Sequence, residues 1–436
     1  MSLTTNSKWD KLLTAQTILF FIAVSFSIGS ADTTEEQSGG GWFIIFKILA
    51  YGIICYSGIY LLSRSNEAYK EFKKTLGSHF YVFVYLALAI IFLPFAVDIK
   101  HSFFKFVVFA YSYFALLMLV AQHSAIYKQD ARTMLFKNTL VFFALLILFP
   151  IAATILNGPA GFLGAFRAKI GCGIVHPNHL SALYTYGFFF GLFYRYIQAP
   201  RQFSKFELRA TKMISFVFPL LIVLAFSRGA LVAIILAVTI SIVILTIKYG
   251  IKKLAILQLA GLVAFTGFAL LISTGVIPIQ SLISSFSRLE SGADLYTLTG
   301  RTELWEFVLK QIDIQSLITG NGYARMSGGG EFAISHGKLF GAHNTYLMVL
   351  ASMGIFGLLA LLLFLHQCLS RTFLAMKVLP APAVAYFLII LFVFMFHSVV
   401  DSFFGLNLGG VFSILLISFT YPLINIKNEK SITNNL

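Results

Sequence analysis

Residues Ala342–Leu365 read AHNTYLMVLASMGIFGLLALLLFL. After His343-Asn344 the run is apolar for about 20 residues, the length of a helix that crosses a bilayer core. A titratable ring and a polar amide therefore stand at the mouth of a membrane helix, at the membrane surface. A long polar segment, about Val276 to Ala342, leads into it. The chain reads as a membrane scaffold that holds this segment, with His343 and a few arginines carrying the chemistry.

The rest of the sequence agrees with that frame. It is 58% hydrophobic and 11% charged, whereas a soluble domain carries roughly 25% charged residues. Apolar windows of spanning length recur along the whole chain and are continuous, not alternating, which excludes a β-barrel. The expected fold is an all-α polytopic membrane protein, residues 1–436 forming one transmembrane domain without a separate soluble domain. The net charge of +15 does not point to nucleic acid, because Lys and Arg stand in short clusters between apolar runs, as the positive-inside rule produces. Of the cysteines Cys55, Cys172 and Cys368, only Cys172 falls outside, so no internal disulfide is expected. No Cys/His spacing suits zinc. The first apolar run, after Lys8 and Lys11, lacks a small-residue cleavage site and reads as a retained anchor.

Twelve spans are expected, at about 12–30, 42–63, 78–97, 102–122, 138–156, 178–194, 213–227, 229–247, 254–276, 344–365, 379–400 and 406–425. Of the 32 Lys and Arg, 21 fall in inner segments and 9 in outer ones, with Lys47 and Lys105 inside spans. This split places both termini in the cytoplasm and residues 277–342 outside, as a large periplasmic loop between spans nine and ten. The outer basic residues run against the bias and gather in three regions. The first is the glycine-rich loop Asn157 to Pro177, with Arg167 and Lys169; it ends at His176-Pro177-Asn178, where Asn178 is placed to cap the next helix. It serves a site or is a re-entrant turn. The second is Ser227-Arg228-Gly229 between two apolar helices, where Arg228 is a buried functional guanidinium or a snorkelling anchor.

The third is the large loop. Leu298-Thr299-Gly300-Arg301-Thr302-Glu303 opens an expected amphipathic helix from Glu303 to Ile314, with Leu304, Trp305, Val308, Leu309 and Ile312 on one face. Gly320-Asn321-Gly322-Tyr323 then breaks the chain. A loop of this length is functional or disordered, and its aromatic and apolar content argues for function. Asp401, at the end of span eleven, is either solvated or orients an arginine or His343.

Arg167, Arg228 and Arg301 converging on one site would bind a multiply charged anion, since guanidinium meets phosphate bidentately. The diphosphate of a membrane lipid lies at the right depth. His343 beside it would take a proton from an acceptor hydroxyl while the arginines stabilise the leaving group. The other reading of His343 is that it hydrogen-bonds the diphosphate or caps the helix. Gly354 and Gly357, three and four turns on, fall near the same helix face as His343 and would let another span pack closely.

His343-Asn344, then nine residues, then Gly354-x-x-Gly357 resembles the signature of the bacterial O-antigen ligase and O-antigen polymerase superfamily. Ser227-Arg228-Gly229-Ala230-Leu231 resembles its arginine turn, and Gly300-Arg301-Thr302-Glu303-Leu304-Trp305 the arginine motif of its periplasmic loop. Arg167 through Pro177-Asn178 and the late Asp401 are similar to further family features. The resemblance implies an inverting, metal-independent glycosyltransferase with no cofactor, in the bacterial inner membrane, its active site facing the periplasm. His343, Arg228 and Arg301 would be catalytic; Arg167, Asn178, Asn344, Tyr323 and Asp401 would bind substrate. The donor would be an undecaprenyl-diphosphate-linked glycan. The acceptor would be lipid A–core for a ligase, or another lipid-linked repeat unit for a polymerase. A polysaccharide transporter or flippase is disfavoured, because transporters hold binding groups near the midplane and here the polar groups gather at one face. A metal-dependent oligosaccharyltransferase would need Asp32, Glu35 and Glu36, which read more simply as a solvated loop.

Overall fold

The structure is a computed structural model describing residues 7–25, 41–78, 80–96, 99–127, 131–148, 150–151, 177–198, 203–224, 228–249, 301–310, 312–323, 344–377 and 379–400. Among these residues there is no strand. The helices are α1 (Ser7–Ser25), α2 (Gly41–Arg64), α3 (Asn66–Ser78), α4 (Phe80–Phe92), α5 (Ile99–Tyr127), α6 (Ala131–Leu146), α7 (Pro177–Ile197), α8 (Lys205–Leu224), α9 (Arg228–Tyr249), α10 (Arg301–Lys310), α11 (Ile314–Thr319), α12 (Thr345–Ala375) and α13 (Ala381–Val400). A 3-10 turn, Leu93–Phe95, follows α4, where Pro94 cannot continue the helical hydrogen bonds.

Among the described residues four helices are long and apolar enough to cross a membrane: Ile45–Arg64, Ser102–Tyr127, Thr345–Ala375 and Ala381–Val399. They coincide with the second, fourth, tenth and eleventh expected spans. Phe80–Phe95, Thr133–Leu146 and Val232–Lys248 are shorter apolar helices at the third, fifth and eighth. The ninth and twelfth spans, 254–276 and 406–425, lie outside the described residues, as does most of 277–342.

The seventh span, expected to be short, is a helix of 20 residues that begins at Lys205 rather than near 213. Its start is set by a capping box. The Glu207 carboxylate accepts from the Ser204 amide and hydroxyl, both at 2.9 Å, while Ser204 Oγ accepts from the Glu207 amide at 3.2 Å. Glu207 is buried and its other oxygen accepts from the Tyr194 hydroxyl at 2.7 Å, tying α8 to α7.

The elements form two packed groups. Around α5 stand α1, α2, α3 and α6, joined by polar side chains inside an apolar interior. His123 Nδ1 donates to the Leu119 carbonyl at 2.8 Å, which leaves Nε2 to accept from Asn138 at 3.3 Å. Gln16 and Gln122 both donate to Ser57 Oγ. Bonds of this kind between membrane helices contribute roughly 0.6–2 kcal/mol each. Around α13 stand α7, α9 and α12.

Helix direction within the second group follows from ring and hydrogen-bond pairs. Tyr386, early in α13, packs on Phe190 and Phe193, late in α7. Tyr346, early in α12, donates to the Met395 carbonyl, late in α13, at 3.1 Å. Both neighbours therefore run antiparallel to α13. Tyr184 of α7 against Phe218 of α8 makes that pair antiparallel as well. The N-termini of α7, α9 and α12 and the C-terminus of α13 share one end of the bundle.

Candidate active site at one end of the helix bundle

That shared end is where sequence positions singled out for chemistry fall. Asn344 is the N-cap of α12: its backbone is extended, its Oδ1 accepts from the Leu347 amide at 3.0 Å, and it is buried. His343 immediately precedes it and lies outside the described residues, as do Arg167 and Asp401. Arg228 is the first residue of α9 and Arg301 the first of α10; only their backbone positions are described. Asp401 follows the last residue of α13. Asn178, expected to cap its helix, is instead the second residue of α7; Pro177 takes the first position, where the missing N–H is no loss. The backbone thus brings Asn178, Arg228, Asn344 and the approach to Asp401 to one end, and α10, which Arg301 opens, packs on α12.

The amphipathic helix expected over Glu303 to Ile314 is two helices. α10 ends at Lys310, whose ammonium pairs with Glu306 at 2.8 Å on the exposed surface. Asp313 then caps α11. Its carboxylate accepts from the Ser316 amide at 2.7 Å and from the Ser316 hydroxyl at 2.6 Å. These bonds, the hydroxyl first, hold the Asp313 carboxyl below the usual carboxylate range. Val308 is fully buried, while Leu309 faces solvent or lipid.

The two short helices are fastened to α12 at a break within it. Gly354 has φ 62° and ψ −162°, outside helical values, so α12 bends there. Gly354 is therefore not a small residue on one continuous face with His343, as the spacing had implied, but the place where the helix opens. The Asn321 amide enters the opening and donates to the Ala351 carbonyl at 2.8 Å. A side chain at Gly354 would collide with the Ile318 carbonyl, and one at Gly320 with the Ser352 carbonyl. Close approach here is backbone to backbone, and what packs into the gap is the loop rather than another span. Gly357 differs: its missing side chain makes room for Met353 of its own helix.

The far end of the same segment is pinned to α4 and α5. The Tyr323 amide donates to the Phe92 carbonyl at 3.3 Å. Its ring packs edge-on against Phe106 and is fully buried, and that burial pushes the phenol well above its ordinary range. Tyr323, expected to touch substrate, is enclosed in the protein interior. The sequence showed the Gly-Asn-Gly break but not its docking. The available signal was a glycine inside an otherwise strong apolar helix, paired with a loop rich in positive-φ candidates.

Residues 213–362 match the family described as O-antigen ligase. The match runs from within α8 to the middle of α12. Arg228, Arg301, Tyr323, His343, Asn344, Gly354 and Gly357 lie inside it, whereas Arg167, Asn178 and Asp401 lie outside. No curated protein matches the chain.

Proposed function

We propose that this chain belongs to the O-antigen ligase and polymerase superfamily and transfers a glycan from undecaprenyl diphosphate to an acceptor hydroxyl at the periplasmic face of the inner membrane. Twelve spans hold the site, and residues 277–342 form its periplasmic loop. The observation that carries the reading is that Arg228, which opens α9, and Asn344, which caps α12, lie inside the family match and stand at the shared helix end, while α10, which Arg301 opens, packs on α12.

The acceptor oxygen attacks the anomeric carbon from the face opposite the diphosphate. The carbon–oxygen bond to the diphosphate breaks, undecaprenyl diphosphate leaves with the bonding electrons, and the acceptor proton passes to His343. The anomeric configuration inverts. Arg228 and Arg301 stabilise charge on the departing diphosphate, as paired guanidiniums do for phosphate oxygens. Arg167, Asn178 and Asp401 contact the substrates. Asn344 Oδ1 is committed to the cap, so its contact with substrate falls to Nδ2. Tyr323 anchors the loop.

The acceptor is lipid A–core, as for a ligase. Purified protein supplied with lipid-linked glycan and lipid A–core in EDTA should give one discrete glycosylated product. Conversion only of lipid-linked repeat units into longer chains would make the protein a polymerase. Activity abolished by EDTA and restored by a divalent cation would overturn the metal-independent mechanism.

A further inference from the structure

Arg64 closes α2 with its Cζ 4.7 Å from the centroid of the Tyr60 ring. This cation–π contact holds the planar group over the aromatic face, and a stacked guanidinium still has its N–H edges free to donate. The pair ends a stripe along α2. Ile45, Leu49, Ile53, Tyr56 and Tyr60 follow at intervals of three or four positions, and each is more than 40% exposed. Ile48 and Ile59, also exposed, widen the stripe to about a third of the helix surface. Of the four membrane-length helices among the described residues, α2 is the least covered: 33% of it is buried, against 56% to 78% of the other three. Ser65 then caps α3, its hydroxyl accepting from the Ala68 amide at 3.2 Å. α3 turns Ala68, Phe72 and Leu76 toward the protein and Tyr69, Lys70 and Lys73 outward. The acidic positions of α3, 67 and 71, fall across the helix from 69 and 73. Among the described residues Arg64, Lys70 and Lys73 form no ion pair.

The basic end of the stripe sets what can cover it. From Arg64 back to Ile53 is about 16 Å along the helix, close to the depth of one leaflet. Tyr56, Tyr60 and Tyr69 stand where tyrosine rings collect, at the boundary between acyl chains and headgroups. Three outward cations at that level suit a headgroup of net negative charge, whereas a zwitterionic headgroup brings its own cation to the same place. A second copy of the chain fits less well, because a twofold contact across the stripe would set Arg64 against Arg64. We propose that this face of α2 and α3 binds an anionic glycerophospholipid, its phosphate on Arg64 and its acyl chains along Tyr60, Tyr56 and Ile53. The face carries none of the residues proposed for glycan transfer, so it holds or fails independently of that reading.

The test is lipid binding counted by native mass spectrometry of the intact protein, titrated in detergent with phosphatidylglycerol or phosphatidylcholine. The wild type should hold phosphatidylglycerol at least about fivefold more tightly, the effect of one basic residue at an anionic surface. Arg64→Gln should remove most of that preference and leave phosphatidylcholine binding unchanged. Lys248→Gln, which neutralises an exposed lysine in the last turn of α9, should leave the binding of both lipids unchanged. Equal affinity of the wild type for the two lipids overturns the proposal. So does an equal loss in both variants, which would mean that net charge, and no site, attracts the lipid. A dimer that Arg64→Gln tightens and phosphatidylglycerol does not displace would assign the face to a second copy instead.

Discussion

Gly354 sets the course of α12 because its φ of 62° suits no residue with a side chain. Gly354→Ala meets strain of about 1–3 kcal/mol, and the added methyl group collides with the Ile318 carbonyl. The expected outcome is a lower melting temperature and proteolysis of the released loop, with transfer lost in parallel; a variant with wild-type stability and activity would mean the break is dispensable. Asp313 makes a second, pH-dependent hold on the same segment. Its carboxyl is depressed by the Ser316 hydroxyl and amide. A depressed carboxylate stabilises the folded state above its unfolded value of about 3.9 and loses that contribution as pH falls through the folded value. Hydrogen exchange over 314–323 should therefore quicken only in acid, and Asp313→Ala should bring the quickening to neutral pH. Protection that ignores both would leave Asp313 without a role in holding α11. Neither residue's role was legible beforehand. A glycine in an apolar helix reads equally as a packing notch, and an Asp in a polar loop as solvated.

At the scale of elements, α10 and α11 form one strap, held at Asn321 on α12 and at Tyr323 on α4 and α5. Arg301 opens the strap and α10 packs on the helix that follows His343, so the seating of the strap sets where the backbone of Arg301 stands. Arg301→Lys keeps the charge and loses the bidentate fork. It should reduce transfer at least about tenfold, the order of one good charge-assisted bond, without altering the melting temperature. Transfer near wild type in Arg301→Lys would show that a point charge suffices. Helix existence was legible here from apolar spacing, and Asn344 from its place before an apolar run. The split at 311–313 was not, because Ile312 fits the apolar face of one continuous helix as well as the corner between two. The capping box at Ser204–Glu207 was readable as Ser-x-x-Glu, but the charged residues around it masked the helix start.

At the scale of the molecule, apolar windows located the long helices well, since hydrophobic length depends on composition alone. The antiparallel order around α13 was beyond reach, because it rests on ring contacts such as Phe190 with Tyr386 that no window reveals. The 21-to-9 division of basic residues predicts a side for each loop. In a protein with its three native cysteines replaced, Ser291→Cys should react with an impermeant maleimide in intact spheroplasts, and the exposed Lys377→Cys only after lysis. The reverse pattern would invert the topology and move the site to the wrong face.

The most direct test of glycan transfer at the α12 end is a single-turnover assay of His343→Ala in nanodiscs with donor prebound. Wild type should pass the glycan to lipid A–core, with a rate that falls as acid protonates the imidazole. The variant should bind undecaprenyl-diphosphate-linked glycan as tightly and transfer it roughly 10²–10⁴ times more slowly, the usual loss for a general base. Weakened donor binding with unchanged turnover of the bound fraction would contradict the account: His343 would then be a ligand for the diphosphate, and the base would have to be another group.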